Sequence, residues 1–561
     1  MKTWNIGNTT VRNPERLRKA LQLFRATMSG RPFRREEQQE FLNELVRAEL
    51  VDSERAEEGD DGGRKFASAF KQLGFVTDWS HGKDWYITPV GTLLIEDPNL
   101  EENIFLRQLL KYQIPSPLEP VPGFQLRPFR LFLRFLKRAY DEQLIGLTKF
   151  EIGLYVITLR TEDDADFEAA FSNIKAFRSA YDSISGKVAK TRFAFERMKE
   201  IADGLGLQRD TLMDYADSNS RYAFMSGLLT LRGNKLAISE ARLPFIQAIL
   251  TDNSTLIADS DYLGIFYNPE APLLPTDNQE FLLSEIAMLE HQIVEIAGQM
   301  NESPTFPIRP VKETVITLQR YEKKLREQWR ELREKQFYYT QRSQSALLDI
   351  EEYLENIRDN SLVGRNFYAP AYFEWTIWRL FLAINALVGP ISSTRGFKID
   401  DNIHPVHHAK GGAADLTFTY EDFKLVCETT LLAGSRQFAA EGEPVTRHVF
   451  KVVEKSDGKP VYGLFIAKKL DPNTIDAFYK ARYWKNFEED PVPTPVIALE
   501  LKHMLQLLEH IKQQRVTITD IRLLFDNLLQ LQDAHPHGPA WYKAYSKVYV
   551  QWVSTLGDSQ G

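Results

Sequence analysis

The sequence has a single cysteine, Cys427, in 561 residues. That excludes an intramolecular disulfide, so buried apolar surface has to hold the fold, and a reducing compartment is expected. No apolar run is long enough to span a bilayer, and the opening MKTWNIGNTT lacks the apolar stretch of a secretory signal. A cytoplasmic protein with no membrane partner is therefore expected. Positive charge is not in excess: 69 Lys and Arg stand against 77 Asp and Glu, a net of −8. A uniformly basic surface is excluded, although nucleic-acid binding is decided by local potential rather than by the sum. No fixed-period repeat and no long low-complexity tract is present.

What is there is enough to bury proper cores: 43% of residues are hydrophobic and 12% aromatic. A chain of this length is expected to hold several domains. Positive charge is local. Arg12, Arg16, Arg18, Lys19, Arg25, Arg31, Arg34 and Arg35 crowd the first forty positions. Arg127, Arg130, Arg134, Lys137 and Arg138 share a later helical segment.

The acidic, turn-rich stretch from Glu54 to Gly63 reads as a loop. After it, Phe66, Ala69, Phe70 and Leu73 recur at helical spacing, and Gly74 ends the run. Phe75-Val76, a polar tip from Ser80 to Lys83, and Trp85 to Ile87 then read as two strands around a turn. Helix, strand, turn and strand outline a winged helix. The outline recurs with a helix at Ser220 to Gly227 and strands at Leu228 to Leu231 and Leu236 to Ile238. A wing places a helix in the major groove with a hairpin beside it. Plain helix–hairpin units that only pack a core have the same outline. Between residues 271 and 360, Pro-rich punctuation alternates with charged helical stretches, where Leu318, Tyr321, Leu325, Trp329 and Leu332 form one stripe. This reads as a helical spacer. The last third is mixed: a helix from Phe373 to Leu387, strands at Asp415 to Tyr420, Lys424 to Thr430, Val461 to Ala467 and Pro495 to Leu499, and helices between and after them. The expected architecture is multidomain and mostly α, with an α/β domain at the C-terminal end.

The chemistry-bearing residues lie in that last third. Asp415 opens one strand and Glu428 lies on the next, an arrangement in which two acids can share one hard divalent cation. Glu374, from the preceding helix, and Glu441, after the second strand, can complete an acidic cluster. His408 and His448 are candidates for a general base or a phosphate contact. No cysteine pair or His-Glu-x-x-His spacing supports zinc. Each acid also has a plainer reading: Glu374 as a surface position on an amphipathic helix, Glu428 as a solvent-facing strand residue. Cys427 reads as a small core residue.

Phe373-Glu374-Trp375-x-x-Trp378, Ala414-Asp415 through Phe423, Glu428-Thr429-Thr430, Gln437-Phe438 and Glu443 through His448 resemble the AlwI family of type IIS restriction endonucleases, which includes strand-specific nicking enzymes. The N-terminal match, including Leu106 to Pro115 and the Arg232-Gly233-Asn234 turn, is looser. The resemblance implies a winged-helix-like DNA-recognition region over 1–270, a helical linker over 271–360, and a PD-(D/E)xK-type nuclease domain over 361–561. It implies Mg²⁺-dependent cleavage of double-stranded DNA a few bases outside a short asymmetric site, GGATC- or GAGTC-like. Carried over, Asp415, Glu428 and Glu374 hold the metal, with Glu441, His408 and His448 beside them. Thr430 stands where the family type has its active-site lysine, and Ala414 where proline is common. On chain proximity, Lys410, Lys424 and Arg447 are candidates to supply the missing charge. For base and phosphate contacts, Arg31, Arg34, Arg35, Arg64, Lys65 and Lys83 are candidates. One acidic cluster per chain implies a transient homodimer for cutting both strands. A nicking enzyme, or an inactive winged-helix DNA-binding protein, are the alternatives.

Overall fold

The computed structural model describes residues 3–9, 11, 13–51, 61–78, 84–233, 235–360, 369–409, 412–456, 458–482 and 494–556. The chain is mostly helical with several small sheets. It divides into two compact units, Met1–Gln292 with Thr305–Glu327, and Ile293–Pro304 with Gln328–Gly561. Residues 271–360, read from sequence as a spacer, are thus shared between the units. No helix among the described residues is long and apolar enough to cross a membrane.

The first unit begins with α1 (Leu17–Thr27), β1 (Arg31–Pro32), α2 (Arg35–Arg47), α3 (Asp61–Gln72), β2 (Val76–Thr77) and β3 (Asp84–Ile87). The strands form an antiparallel sheet in the order β1-β3-β2. Phe66, Ala69, Phe70 and Leu73 are all buried, so the helical spacing does mark the inner face of α3. Phe24, Phe33, Phe41, Phe70 and Trp85 make one aromatic cluster that ties helices to sheet. Gly74 ends the helical turn at φ +73, where an added Cβ would meet Phe266 at 2.8 Å. The polar tip expected at Ser80 to Lys83 lies outside the described residues.

A second sheet of the same order follows. Its strands are β4 (Leu147–Thr148), β5 (Leu229–Arg232) and β6 (Lys235–Ile238), arranged β4-β6-β5, with α4 (Arg209–Phe224) leading into the hairpin. The basic helix Pro128–Asp141 lies in this unit, and its cations are matched. Arg127 and Arg130 pair with Glu162, Arg134 with Asp164, Lys137 with Asp141, and Arg138 with Glu142 and Glu168.

The second unit is a sheet with helices on both faces. Before the sheet come α5 (Gln344–Arg358), α6 (Ala369–Leu382) and the short pair β7 (Lys398–Ile399) and β8 (Pro405–His407). The sheet holds β9 (Leu416–Thr419), β10 (Lys424–Thr430), β11 (Val461–Ala467) and β12 (Val496–Glu500), with α7 (Ser435–Glu454) and α8 (Pro472–Ala481) as crossovers. α9 (Leu501–Lys512), α10 (Ile518–Asp533) and α11 (Gly538–Thr555) complete it. Strand order is β12-β11-β10-β9; β10, β11 and β12 run parallel and β9 antiparallel. Alternate residues point to opposite faces. Leu425 and Cys427 join a core with α6, α9, α10 and α11. Val426 joins another with Val445 and Val449 of α7. Cys427 is fully buried, as its core reading required.

α6 ends at Leu382, earlier than the expected Leu387, and Asn385 soon takes a positive φ of 56°. Every residue from Ala371 to Leu382 is buried, so the helix is enclosed on all sides. Burying Phe373, Trp375, Trp378 and Phe381 stabilises it strongly, since deleting one large aromatic typically costs about 3–5 kcal/mol. The Trp378 indole N–H is satisfied at 2.7 Å by the Thr394 hydroxyl.

Candidate active site

α6 carries two buried ionisable groups with different fates. Arg379 is matched: it donates to Gln341 at 2.7 Å and pairs with Asp349. Glu374 is 4% exposed, which rules out the surface reading. Its Oε2 accepts one hydrogen bond, from the Ala409 N–H at 2.8 Å. Burial, reinforced by the nearby Asp415 and Glu428 charges, pushes its pKa up to about 9.

The sheet brings up the next two acids. Cys427 pairs with Leu416, so Asp415, one residue before β9, falls beside Glu428. The Asp415 Oδ2 accepts the Thr429 N–H at 2.8 Å. Burial and then Glu428 hold the Asp415 carboxyl well above the usual carboxylate range. Glu428, on the α7 face of β10 and 6% exposed, is not solvent-facing. Its pKa is pushed up to about 8, chiefly by burial, against a hydrogen bond from the Asp415 main chain.

α7 supplies the rest. Gln437, Glu441 and His448 fall on one helical stripe at i, i+4 and i+11. His448 Nδ1 lies 2.7 Å from Glu428 Oε1. Its Nε2 is buried with no hydrogen-bond partner among the described residues. Burial lowers the His448 pKa, and Arg447 and Lys451 lower it further. Glu441 is raised by burial, partly offset by a hydrogen bond from the Thr430 hydroxyl. Gln437 is fully buried: its amide donates to the carbonyls of Leu432 (2.9 Å) and Lys469 (3.0 Å) and accepts the Asp471 N–H at 2.9 Å. The sequence reading gave Gln437 no role, although the stripe it shares with Glu441 and His448 was a usable signal.

Glu374, Asp415, Glu428, Glu441 and His448 are thus brought to one place. His408 is on the loop that reaches Glu374, one residue before Ala409, with its ring centroid 4.1 Å from that of His407. Burial lowers its pKa, and His407 adds to the effect. Of the cation candidates, Arg447 is paired with Glu443, Lys424 begins β10 at the end away from Glu428, and Lys410 lies outside the described residues. No three described Asp, Glu, His or Cys side chains are already arranged to hold a metal ion.

The proposed DNA contacts are spread over the first unit. Arg31 is engaged, with two bonds to the Glu40 carboxylate at 2.9 and 2.7 Å. Arg34 caps α2 and Arg35 opens it, both exposed. Arg64 is exposed and Lys65 half-buried in the first turns of α3. Lys83 lies outside the described residues.

Three solved structures are similar in part. The small subunit (R.BspD6I2) of the heterodimeric restriction endonuclease R.BspD6I is 23% identical, over 37% of this chain and 99% of its own, with a TM-score of 0.28. The BpuJ1 endonuclease binding domain, crystallised with pyrene- and phenanthrene-modified DNA, is 15% identical over 45% and 92%, at 0.33. Restriction endonuclease FokI is 12% identical over 83% of each chain, at 0.23. TM-scores this low establish no common overall fold. No curated protein matches the chain. A sequence model described as AlwI restriction endonuclease matches residues 71–507. That match spans most of the chain, and the protein therefore belongs to the AlwI restriction endonuclease family, enzymes that cut DNA at specific sites.

Proposed function

We propose that the chain is a Mg²⁺-dependent type IIS endonuclease, cutting a few bases outside a short asymmetric GGATC- or GAGTC-like site in cytoplasmic DNA. The observation that carries this reading is the set of buried carboxyls in the second unit. The charges that bear most strongly on Glu374 and Asp415 are those of their acidic neighbours. Such a set is costly to ionise unless a cation joins it. An all-oxygen donor set suits a hard divalent ion rather than zinc. Asp415, Glu428 and Glu374 would hold it, as proton loss freed their oxygens. Bound Mg²⁺ supplies positive charge that polarises the scissile phosphate and lowers the pKa of a water molecule.

The chain's own residues do the remaining work. His448 is held by its Nδ1 contact with Glu428; once Glu428 has lost its proton, Nδ1–H donates to it and Nε2 is left as a proton acceptor. Glu441, oriented by Thr430, adds negative charge that favours a protonated imidazole. The sheet with helices on both faces supports the PD-(D/E)xK assignment for the second unit. In the first unit, two sheets of order β1-β3-β2 and β4-β6-β5, each with a helix leading into a hairpin, support winged-helix-like recognition. Chemistry and recognition in different units suit cutting outside the recognised site. With one such carboxyl set among the described residues, a transient homodimer on DNA cuts both strands.

Supercoiled plasmid with Mg²⁺, followed by sequencing of the ends, tests the reading. Linear product at a fixed offset supports it; open circles that never become linear identify a nicking enzyme. D415A and E428A should each lose cleavage and keep site-specific binding. Cleavage unaffected by EDTA would contradict the metal assignment.

A further inference from the structure

Thr430 leaves the carboxyl set without the cation that a strand lysine would place beside it. We propose that Lys469, with Arg436, binds the phosphate of the scissile strand and supplies that charge from the neighbouring strand. The inference rests on the nuclease reading above and names the group that completes its site.

Register brings the two cations to the correct end of the sheet. β10 and β11 are parallel, with Glu428 opposite Phe465 and Thr430 opposite Ala467. The segment leaving β11 at Lys468-Lys469 therefore runs beside the segment leaving β10 at Leu431-Leu432. Gln437 fixes the two segments to each other, since its buried amide bonds both the Leu432 and the Lys469 carbonyl. The Asp471 N–H donates to the Gln437 side-chain Oε1 and closes the clasp. Arg436 adjoins Gln437, in the first turn of α7. Glu441 is one turn further along, about 6 Å by helical rise.

Charge pairing leaves these two residues available. Arg447, Lys480, Arg482, Lys502 and Lys512 of this unit are each paired with a carboxylate. Arg436 and Lys469 are exposed, and neither makes an ion pair among the described residues. The first turn of α7 carries no acid, so the positive end of the helix dipole adds to the same potential. Two cations without an ion pair, carried at the end of the sheet where the carboxyl set lies, make a charge pattern that a phosphate with its metal would complete. Lys469 bound to a non-bridging oxygen neutralises charge that grows during in-line attack, and Arg436 adds a second, forked donor.

The test is single-turnover cleavage of a plasmid carrying the target site, with Mg²⁺, alongside equilibrium binding of the same site in EDTA. K469A should cut about 10²-fold more slowly, the usual loss for one transition-state donor. Its affinity for the site should change little, because recognition lies in the other unit. K469R should recover part of the rate, and the K469A/R436A double variant should be slower still. K455A, removing an exposed lysine from the far end of α7, should stay within about twofold of wild type, a change of under ~0.5 kcal/mol in the barrier. K469A cutting within twofold of wild type, or K455A as slow as K469A, would overturn the proposal. D415A that still cuts at the wild-type rate would instead overturn the carboxyl reading beneath it.

Discussion

Replacing Glu428 by glutamine should abolish cleavage and stabilise the metal-free protein. The Glu428 carboxyl is pushed up to about 8 from an ordinary 4.5, mainly by burial. A raised carboxyl has a definite signature. Below pH 4.5 folded and unfolded chains both hold the proton, and the group contributes nothing. Between pH 4.5 and 8 the unfolded chain has released the proton and the folded chain has not, so stability falls as pH rises, by up to about 1.4 kcal/mol per unit. Above 8 the slope ends. At pH 7.5 the full penalty is about 4 kcal/mol, and relaxation or water entry halves such figures readily, so E428Q should gain about 2–4 kcal/mol. Glutamine keeps the oxygen that faces His448 Nδ1, so that contact survives. A domain of this size shifts its Tm by about 2–4 °C per kcal/mol, which puts the gain well within reach of a thermal melt. Melts in EDTA at pH 5, 6, 7 and 8 should show the advantage of E428Q growing with pH and nearly vanishing at pH 5. A variant less stable than wild type at pH 8, or an advantage independent of pH, would refute the electrostatic argument.

Mg²⁺ should raise the Tm of wild type more at pH 8 than at pH 6, because binding has to displace protons from Glu374, Asp415 and Glu428, all of which are raised; equal shifts at both pH values would count against those residues as ligands. W378A should destabilise the second unit by about 3–5 kcal/mol by emptying a fully enclosed site, read by denaturant melts; a loss below 1 kcal/mol would show that α6 is not the core element described. R64A with K65A should weaken DNA binding and lower the salt slope by about one per lost phosphate contact. An unchanged salt slope would remove α3 from the interface.

The sequence reading reached furthest where periodicity was strong. The inner face of α3 could be placed because apolar residues recur at 3.6, β9 because they alternate, and β10 and β11 because they are short, nearly continuous apolar runs. β1 and β4 were missed because two residues hold no period. α10 and α11 were not read, and the helix through Glu374 was run too far because its apolar run continues past Asn385, the positive-φ residue that follows the helix end. The burial of Glu374 was also hidden: an acid between Phe373 and Trp375 fits a surface face or an enclosed helix equally well, and only packing decides. The clasp that Gln437 makes was hidden, because its partners lie in two loops more than thirty residues apart. Only the helical stripe that Gln437 shares with Glu441 and His448 marks it in the sequence; the tie between the two loops leaves no local pattern.

The most direct measurement is cleavage of a defined plasmid by wild type and D415A, each with Mg²⁺ and with EDTA, with binding to the same site followed in parallel. Wild type should cut only with Mg²⁺, at one fixed offset from one short sequence, while D415A binds that sequence and leaves the backbone intact. Cutting by D415A at the wild-type rate, or cutting by wild type in EDTA, would contradict the claim that these buried acids, with a bound ion, perform the reaction.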